Sequence, residues 1–301
     1  MPLTGFMCDA TDQAVSIDAC LACARSGALP GCHMTAPVIS GILNGLRPDD
    51  FGLTVTTLLG CPRKWRLMQE TEYCVKPSQA WWAFRGQLMH GVAATYAVQD
   101  PDVIAERRFS TLVELHGRSV EISGQPDLIY VGQRRLIDYK TRKEVPRSWR
   151  TYTCPETGEV IREGPWAIRT KVATCSSCGG EHETKAIEQR AEPRPDPHHV
   201  QQISLYRLIL WENGIPIDSA TIVYQDMSQQ LRLPVEMLNL EDTQALLEER
   251  LRLFLQDDMP SVLTDADEVW VCDYCPVRQQ CESLHGGPVG KAAVSEVSNG
   301  D

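Results

Sequence analysis

The alternation of apolar and polar positions is clearest over residues 124–140, GQPDLIYVGQRRLIDYK. Two runs rich in Ile, Leu, Val and Tyr flank Gly132-Gln133, and glycine at the first loop position suits a two-residue hairpin turn. With that loop, Val131 faces Arg134, Ile129 faces Leu136, and Asp127 lies opposite Asp138. Leu128, Tyr130, Ile137 and Tyr139 make one face apolar, and Ile129, Val131 and Leu136 the other, as in a strand covered on both sides. Apolar periodicity predicts helices over 53–68, 81–98, 198–213 and 242–255, and strands over 103–109, 219–226 and 230–236. Residues 147–197, rich in Pro, Gly and charge, break the pattern and read as an inserted lobe, too long for a plain loop.

Two carboxylates directly opposite each other across a sheet repel, so this pair calls for a positive partner. A divalent cation meets that need, and Lys140, two residues beyond Asp138, joins the same face. An ammonium beside a metal-binding acid pair can hold and polarise a phosphate. The plainer reading is an ordinary hairpin with two surface acids and a surface lysine.

The chain has 301 residues, enough for one large domain with additions, and a net charge of -11. Such an acidic balance excludes an indiscriminate nucleic-acid coat, so contact with DNA falls to local patches. The best is Lys140, Arg142, Lys143, Arg147 and Arg150 against a single Glu144, which composition alone equally allows as a solvated loop. No signal peptide or membrane span is read, and a cytoplasmic location is expected. Disulfides are rare there, so the 12 cysteines point to metal.

All of the 12 cysteines but Cys74 fall into three groups. Cys272, Cys275 and Cys281 form C-x2-C-x5-C, with Cys61, also followed by proline, as the natural fourth ligand. Four thiolates suit an iron-sulfur cluster or a structural zinc ion, and the ligands alone do not separate the two. Cys8, Cys20, Cys23, Cys32 and His33 offer four ligands for a zinc site, or a cluster of buried thiols. In the lobe, Cys175 and Cys178 with His182 make a good knuckle, while TCPETG brings only Cys154 where a zinc ribbon would usually have two cysteines.

Taken together, Gly124 with Asp127, the IDYK of residues 137–140, His90 four residues after Gly86, Gln202 with Tyr206, and the one-plus-three cysteines resemble the PD-(D/E)xK nuclease superfamily. The likeness is to its RecB-like iron-sulfur branch, which includes CRISPR-adaptation exonucleases and AddB-type nuclease domains. It implies an α/β fold, a restriction-endonuclease-like mixed central sheet flanked by helices, spanning 51–146 and 198–284 with a 4Fe-4S-bound C-terminal segment. The additions are a Cys-rich extension over 1–50, the lobe over 147–197 and a disordered tail over 285–301. By this resemblance His90, Asp127, Asp138 and the Tyr139 carbonyl hold Mg2+ or Mn2+, Lys140 orients water or phosphate, and Gln202 and Tyr206 position the strand. The implied activity is hydrolysis of DNA phosphodiesters, by an exonuclease acting on single strands or ends. The alternative is a noncatalytic DNA-end-binding iron-sulfur subunit, and either fits a repair or CRISPR-adaptation complex. Glu106 is a further candidate acid. The extension, the lobe and Asp rather than Glu at position 138 depart from the family pattern.

Overall fold

The computed structural model describes residues 3–27, 32–46, 52–115, 117–165, 167–168, 170–263 and 269–289. The expected disordered tail therefore lies, from residue 290 onward, outside the described residues. The chain is mixed α/β and divides into two compact units: Met1–Val92 with Ser110–Gly124 and Gln244–Asp301, and Ala93–Phe109 with Gln125–Thr243. Among the described residues, no helix is long and apolar enough to cross a membrane.

The first unit builds a small sheet in which Leu3–Met7 pairs antiparallel with Ala14–Ser16 and parallel with Tyr73–Val75. One apolar cluster in this unit gathers Phe6, Ile39 and Ile42, and another gathers Leu3, Leu67, Tyr73 and Val277. The helix expected over 53–68 is two helices, Val55–Leu58 and Pro62–Glu70. The reason is local: Cys61 caps the second helix and Pro62 opens it, where the missing N–H costs nothing.

The second unit is organised on a five-stranded mixed sheet. Its order is Gln230–Val235, Ser219–Gln225, Arg135–Thr141, Leu128–Tyr130, Val103–Ala105. Ser219–Gln225 runs parallel to Arg135–Thr141, and every other neighbour is antiparallel. A parallel pair needs a crossover connection, and the helix Pro197–Glu212 lies between the two strands in sequence. Asp196 caps that helix by accepting the His198 N–H at 3.0 Å, and nine of its side chains are buried. Ile203, Leu210, Ile222 and Leu136, all fully buried, make the centre of the core.

The hairpin register holds, with Ile129 opposite Leu136 and Tyr130 opposite Arg135. Its turn differs from the expected one. The Arg134 N–H donates to the Val131 carbonyl at 3.0 Å, and Arg134, not Gly132, takes the left-handed conformation at φ 49. Gly132 is small for another reason: its N–H donates to Asp102 Oδ1 at 2.7 Å, and an added Cβ would meet that oxygen at 2.9 Å. The strand expected over 103–109 breaks after Ala105, because Glu106 sits at φ 50 and leaves the ladder. The lobe folds on its own strands, Trp149–Thr153 between Val160–Gly164 and Glu188–Ala191, and the hairpin Val172–Thr174 with Glu181–Glu183.

Candidate functional site

Asp138 and Lys140 lie on the central strand Arg135–Thr141, two residues apart and so on one face. Lys140 Nζ stands 2.6 Å from Asp138 Oδ2 and donates to Gln202 Oε1 at 2.7 Å. Gln202 Nε2 in turn donates to the Tyr206 hydroxyl at 2.9 Å. Gln202 and Tyr206, one helical turn apart on Pro197–Glu212, are both buried, as is Asp138. Four residues from two distant stretches of sequence are thus joined in one continuous polar chain.

Asp127 precedes the strand Leu128–Tyr130, and its Oδ2 accepts the Tyr139 N–H at 2.6 Å. Its backbone carbonyl accepts the Glu106 N–H at 3.0 Å, which tethers the bend at Glu106. The Glu106 side chain is steadied by Gln125, whose Nε2 donates to Oε2 at 2.7 Å. Carboxylate oxygens of Glu106 and Asp127 lie within 4.8 Å of each other, close enough to share a metal ion. A non-glycine residue at φ 50 costs of order 1 kcal/mol, and such strain persists where surrounding contacts over-determine it. His90 lies on the helix Pro77–Ala97, within the first unit.

A second polar chain runs beside Lys140 in sequence. Arg142 Nη2 donates to His199 Nε2 at 2.7 Å, so the His199 proton sits on Nδ1 and points to the Tyr224 hydroxyl at 2.8 Å. Burial, followed by the charges of Lys140, Arg142 and His198, holds the His199 pKa far below the usual imidazole value. Burial likewise pushes the Tyr224 phenol up. Sequence reasoning left His199 and Tyr224 without a role. The signal was present, since His199 lies three residues before Gln202 and shares its helical face.

In the first unit, Cys61, Cys272, Cys275 and Cys281 line one cavity together with Arg63 and Lys64. Cys61 Sγ accepts the Lys64 N–H at 3.4 Å at a helix N-terminus, and Arg63 Nε donates to Cys281 Sγ at 3.1 Å. Burial, followed by the charges of the three sister thiols, pushes the Cys272 thiol up to about 11. Among the described residues, no three of these sulfurs lie within 4.8 Å of one another.

Elsewhere in that unit, Cys8 is held in a tight turn in which its N–H donates to Gln13 and its carbonyl accepts from Asp12. Cys20 and Cys23 lie on the helix Ile17–Ser26. Burial raises the Cys20 pKa, and Cys32, Cys8 and Cys23 add to the effect, so these four sulfurs share a neighbourhood. His33 follows Cys32 ahead of the helix Ala36–Leu46.

The lobe brings Cys154, Cys178 and His182 within 4.8 Å of one another, a group able to hold a metal ion. The Thr157 hydroxyl and nearby backbone amides draw the Cys154 thiol down to about 6.

No family model matches the chain, and no curated protein matches it. Among solved structures, it is similar to one titled "Crystal structure of SSO0001", at 17% identity and a TM-score of 0.47, over 80% of this chain and 91% of that one.

Proposed function

We propose that the chain is a Mg2+- or Mn2+-dependent DNA nuclease with a restriction-endonuclease-like core in its second unit, acting on single strands or DNA ends. The observation that carries the reading is the unbroken chain Asp138, Lys140, Gln202, Tyr206. Those are the residues that the resemblance to RecB-like nucleases assigns to catalysis and strand positioning, and a purely structural sheet has no use for a buried acid–lysine–amide relay.

Asp127 and Glu106 fit the ion's donor set, hard carboxylate oxygens fixed by backbone and amide hydrogen bonds. Asp138 and the Tyr139 carbonyl follow on the adjoining strand, and the resemblance alone adds His90. When bound, the ion lowers the pKa of a coordinated water and offsets charge on the scissile phosphate. Lys140 would donate to a phosphate oxygen or to that water, the role that the resemblance gives it. Gln202 fixes the ammonium by accepting from it, and Tyr206 fixes the Gln202 amide by accepting from its NH2 group. Arg142, just past the end of that strand and anchored by His199, adds positive charge for the DNA backbone.

Cys61, Cys272, Cys275 and Cys281 are read as the ligands of a 4Fe-4S cluster. Their place around a common cavity fits four thiolates holding one metal centre, and the resemblance alone assigns that centre as an iron-sulfur cluster and not zinc. The cluster would tie residue 61 to the C-terminal segment within the first unit, a structural role.

The test is incubation of labelled single-stranded and duplex DNA with the purified protein and Mn2+. Degradation that disappears in Asp138→Asn and in Lys140→Met, with iron content and melting of the first unit unchanged, supports the reading. Undiminished cutting by both variants rejects the assignment.

A further inference from the structure

The lobe holds two turns with the same construction. At the tip of one hairpin, the Cys154 N–H donates to the Glu159 carbonyl at 2.8 Å and the Gly158 N–H to the Cys154 carbonyl at 2.9 Å. At the tip of the other, the Cys175 N–H donates to the Gly180 carbonyl at 3.0 Å and the Gly179 N–H to the Cys175 carbonyl at 2.9 Å. Each turn is closed by a left-handed glycine, Gly158 at φ 73 and Gly179 at φ 68. The sequences TCPETGE and TCSSCGG align on this geometry, so Thr157 occupies the place that Cys178 holds in its own turn. Such paired cysteine turns at hairpin tips are how zinc ribbons present their ligands.

The two tips converge. Cys154 Sγ lies 3.8 Å from Cys178 Sγ, and His182 Nε2 lies 3.3 Å from Cys154 Sγ and 4.0 Å from Cys178 Sγ. Ligands at about 2.3 Å (sulfur) and about 2.0 Å (nitrogen) around a tetrahedral zinc ion are separated by roughly 3.5 to 3.8 Å, so these three atoms already stand at mononuclear spacing. Buried Cys175 donates to Glu159 Oε2 at 3.0 Å and lies 3.6 Å from the Thr157 hydroxyl. Gly180 is a glycine where a side chain would intrude: its N–H donates to Cys178 Sγ at 3.3 Å, and an added Cβ would meet that sulfur at 3.2 Å and His182 Nε2 at 3.3 Å.

We propose that Cys154, Cys175, Cys178 and His182 form a structural zinc site that locks the two hairpin tips together. His182 replaces the cysteine that Thr157 does not supply. Binding needs Cys175 to turn from Glu159 toward the three converged ligands, and Glu159 then remains beside it as an outer partner. This is independent of the nuclease reading, because none of the four belongs to that site.

The experiment measures zinc by inductively coupled plasma mass spectrometry in full-length protein purified without added metal. Relative to the wild type, Cys154→Ser and His182→Ala each lose one equivalent of zinc, and adding Thr157→Cys to His182→Ala restores it by completing a four-cysteine site. Equal zinc in the wild type and both single variants overturns the proposal, as does a loss of iron instead of zinc in those variants. A second readout needs no variant. Cys178 is exposed, so iodoacetamide should modify it freely unless a metal holds it. Protection that a chelator removes supports the site, whereas immediate labelling, or a Cys154–Cys178 disulfide in protein kept reduced, overturns it.

Discussion

Replacing Lys140 by methionine removes the cation that neutralises Asp138 while keeping most of the side-chain volume. The Asp138 side chain is 2% exposed and that of Lys140 is 17%, with 2.6 Å between the charged atoms. Breaking a buried ion pair by removing one partner costs about 3–5 kcal/mol, because the remaining charge stays out of water. Water at the partly exposed ammonium places this case at the lower end, roughly 3 kcal/mol. In a unit of about 140 residues each kcal/mol moves the melting point by roughly 3–4 °C, so the variant should melt about 10 °C lower. Asp138→Asn combined with Lys140→Met should regain most of the loss, giving a coupling of about 3 kcal/mol in a double-mutant cycle. Circular dichroism melts of the four proteins at pH 7 measure it. Mn2+ added to Lys140→Met should raise its melting point more than that of the double variant, since an ion then takes the place of the ammonium beside the acids. A Lys140→Met protein melting within about 2 °C of the wild type would refute the reasoning, because the carboxylate would not depend on its lysine.

Three further outcomes follow from the same unit. Glu106→Gly should relieve the φ 50 strain and stabilise the metal-free protein by about 1 kcal/mol, while Mn2+ affinity measured by calorimetry falls at least tenfold. Gly132→Ala should cost about 1–2 kcal/mol in a urea titration, because the new Cβ displaces the Asp102 carboxylate that caps the turn, and should leave DNA cutting unchanged. His199, its pKa depressed in the fold, takes up its proton only on unfolding at mildly acidic pH. The unfolded chain then binds more protons, so stability is present above the unfolded value of about 6.5 and falls by up to about 1.4 kcal/mol per unit as the pH drops below it. Urea titrations between pH 8 and 5 should show that slope, and His199→Gln should flatten it.

The hairpin register was legible in the sequence because side chains alternate with period two and one slip would turn Asp127, Ile129 and Val131 to the other face. That Lys140 shares the face of Asp138, and Gln202 that of Tyr206, was legible for a similar reason, as fixed offsets along a strand and a helix, whereas their roles came only from the resemblance. The turn was not legible. Glycine at position 132 reads as a conformational need, but it answers to the approach of Asp102, thirty residues earlier, which no local pattern displays. Glu106 lay hidden inside an apparent strand, because a left-handed residue without glycine carries no signature in composition. The lobe's ligand group was half legible. TCSSCGG announces itself, whereas the match of TCPETG to it is a matter of backbone geometry, with Thr157 standing where a cysteine would be expected. The helix break at residue 60 was written in Pro62, yet the apolar periodicity runs straight through it.

The most direct measurement of the central claim is the rate at which nucleotides are released from end-labelled single-stranded DNA as Mn2+ is titrated, for the wild type and Asp127→Asn at matched iron content. Hydrolysis at a metal site that needs Asp127 gives a saturable, metal-dependent rate in the wild type and a loss of at least a hundredfold in the variant. Release without added metal that a chelator leaves intact, or an Asp127→Asn protein that cuts as fast as the wild type, would contradict it.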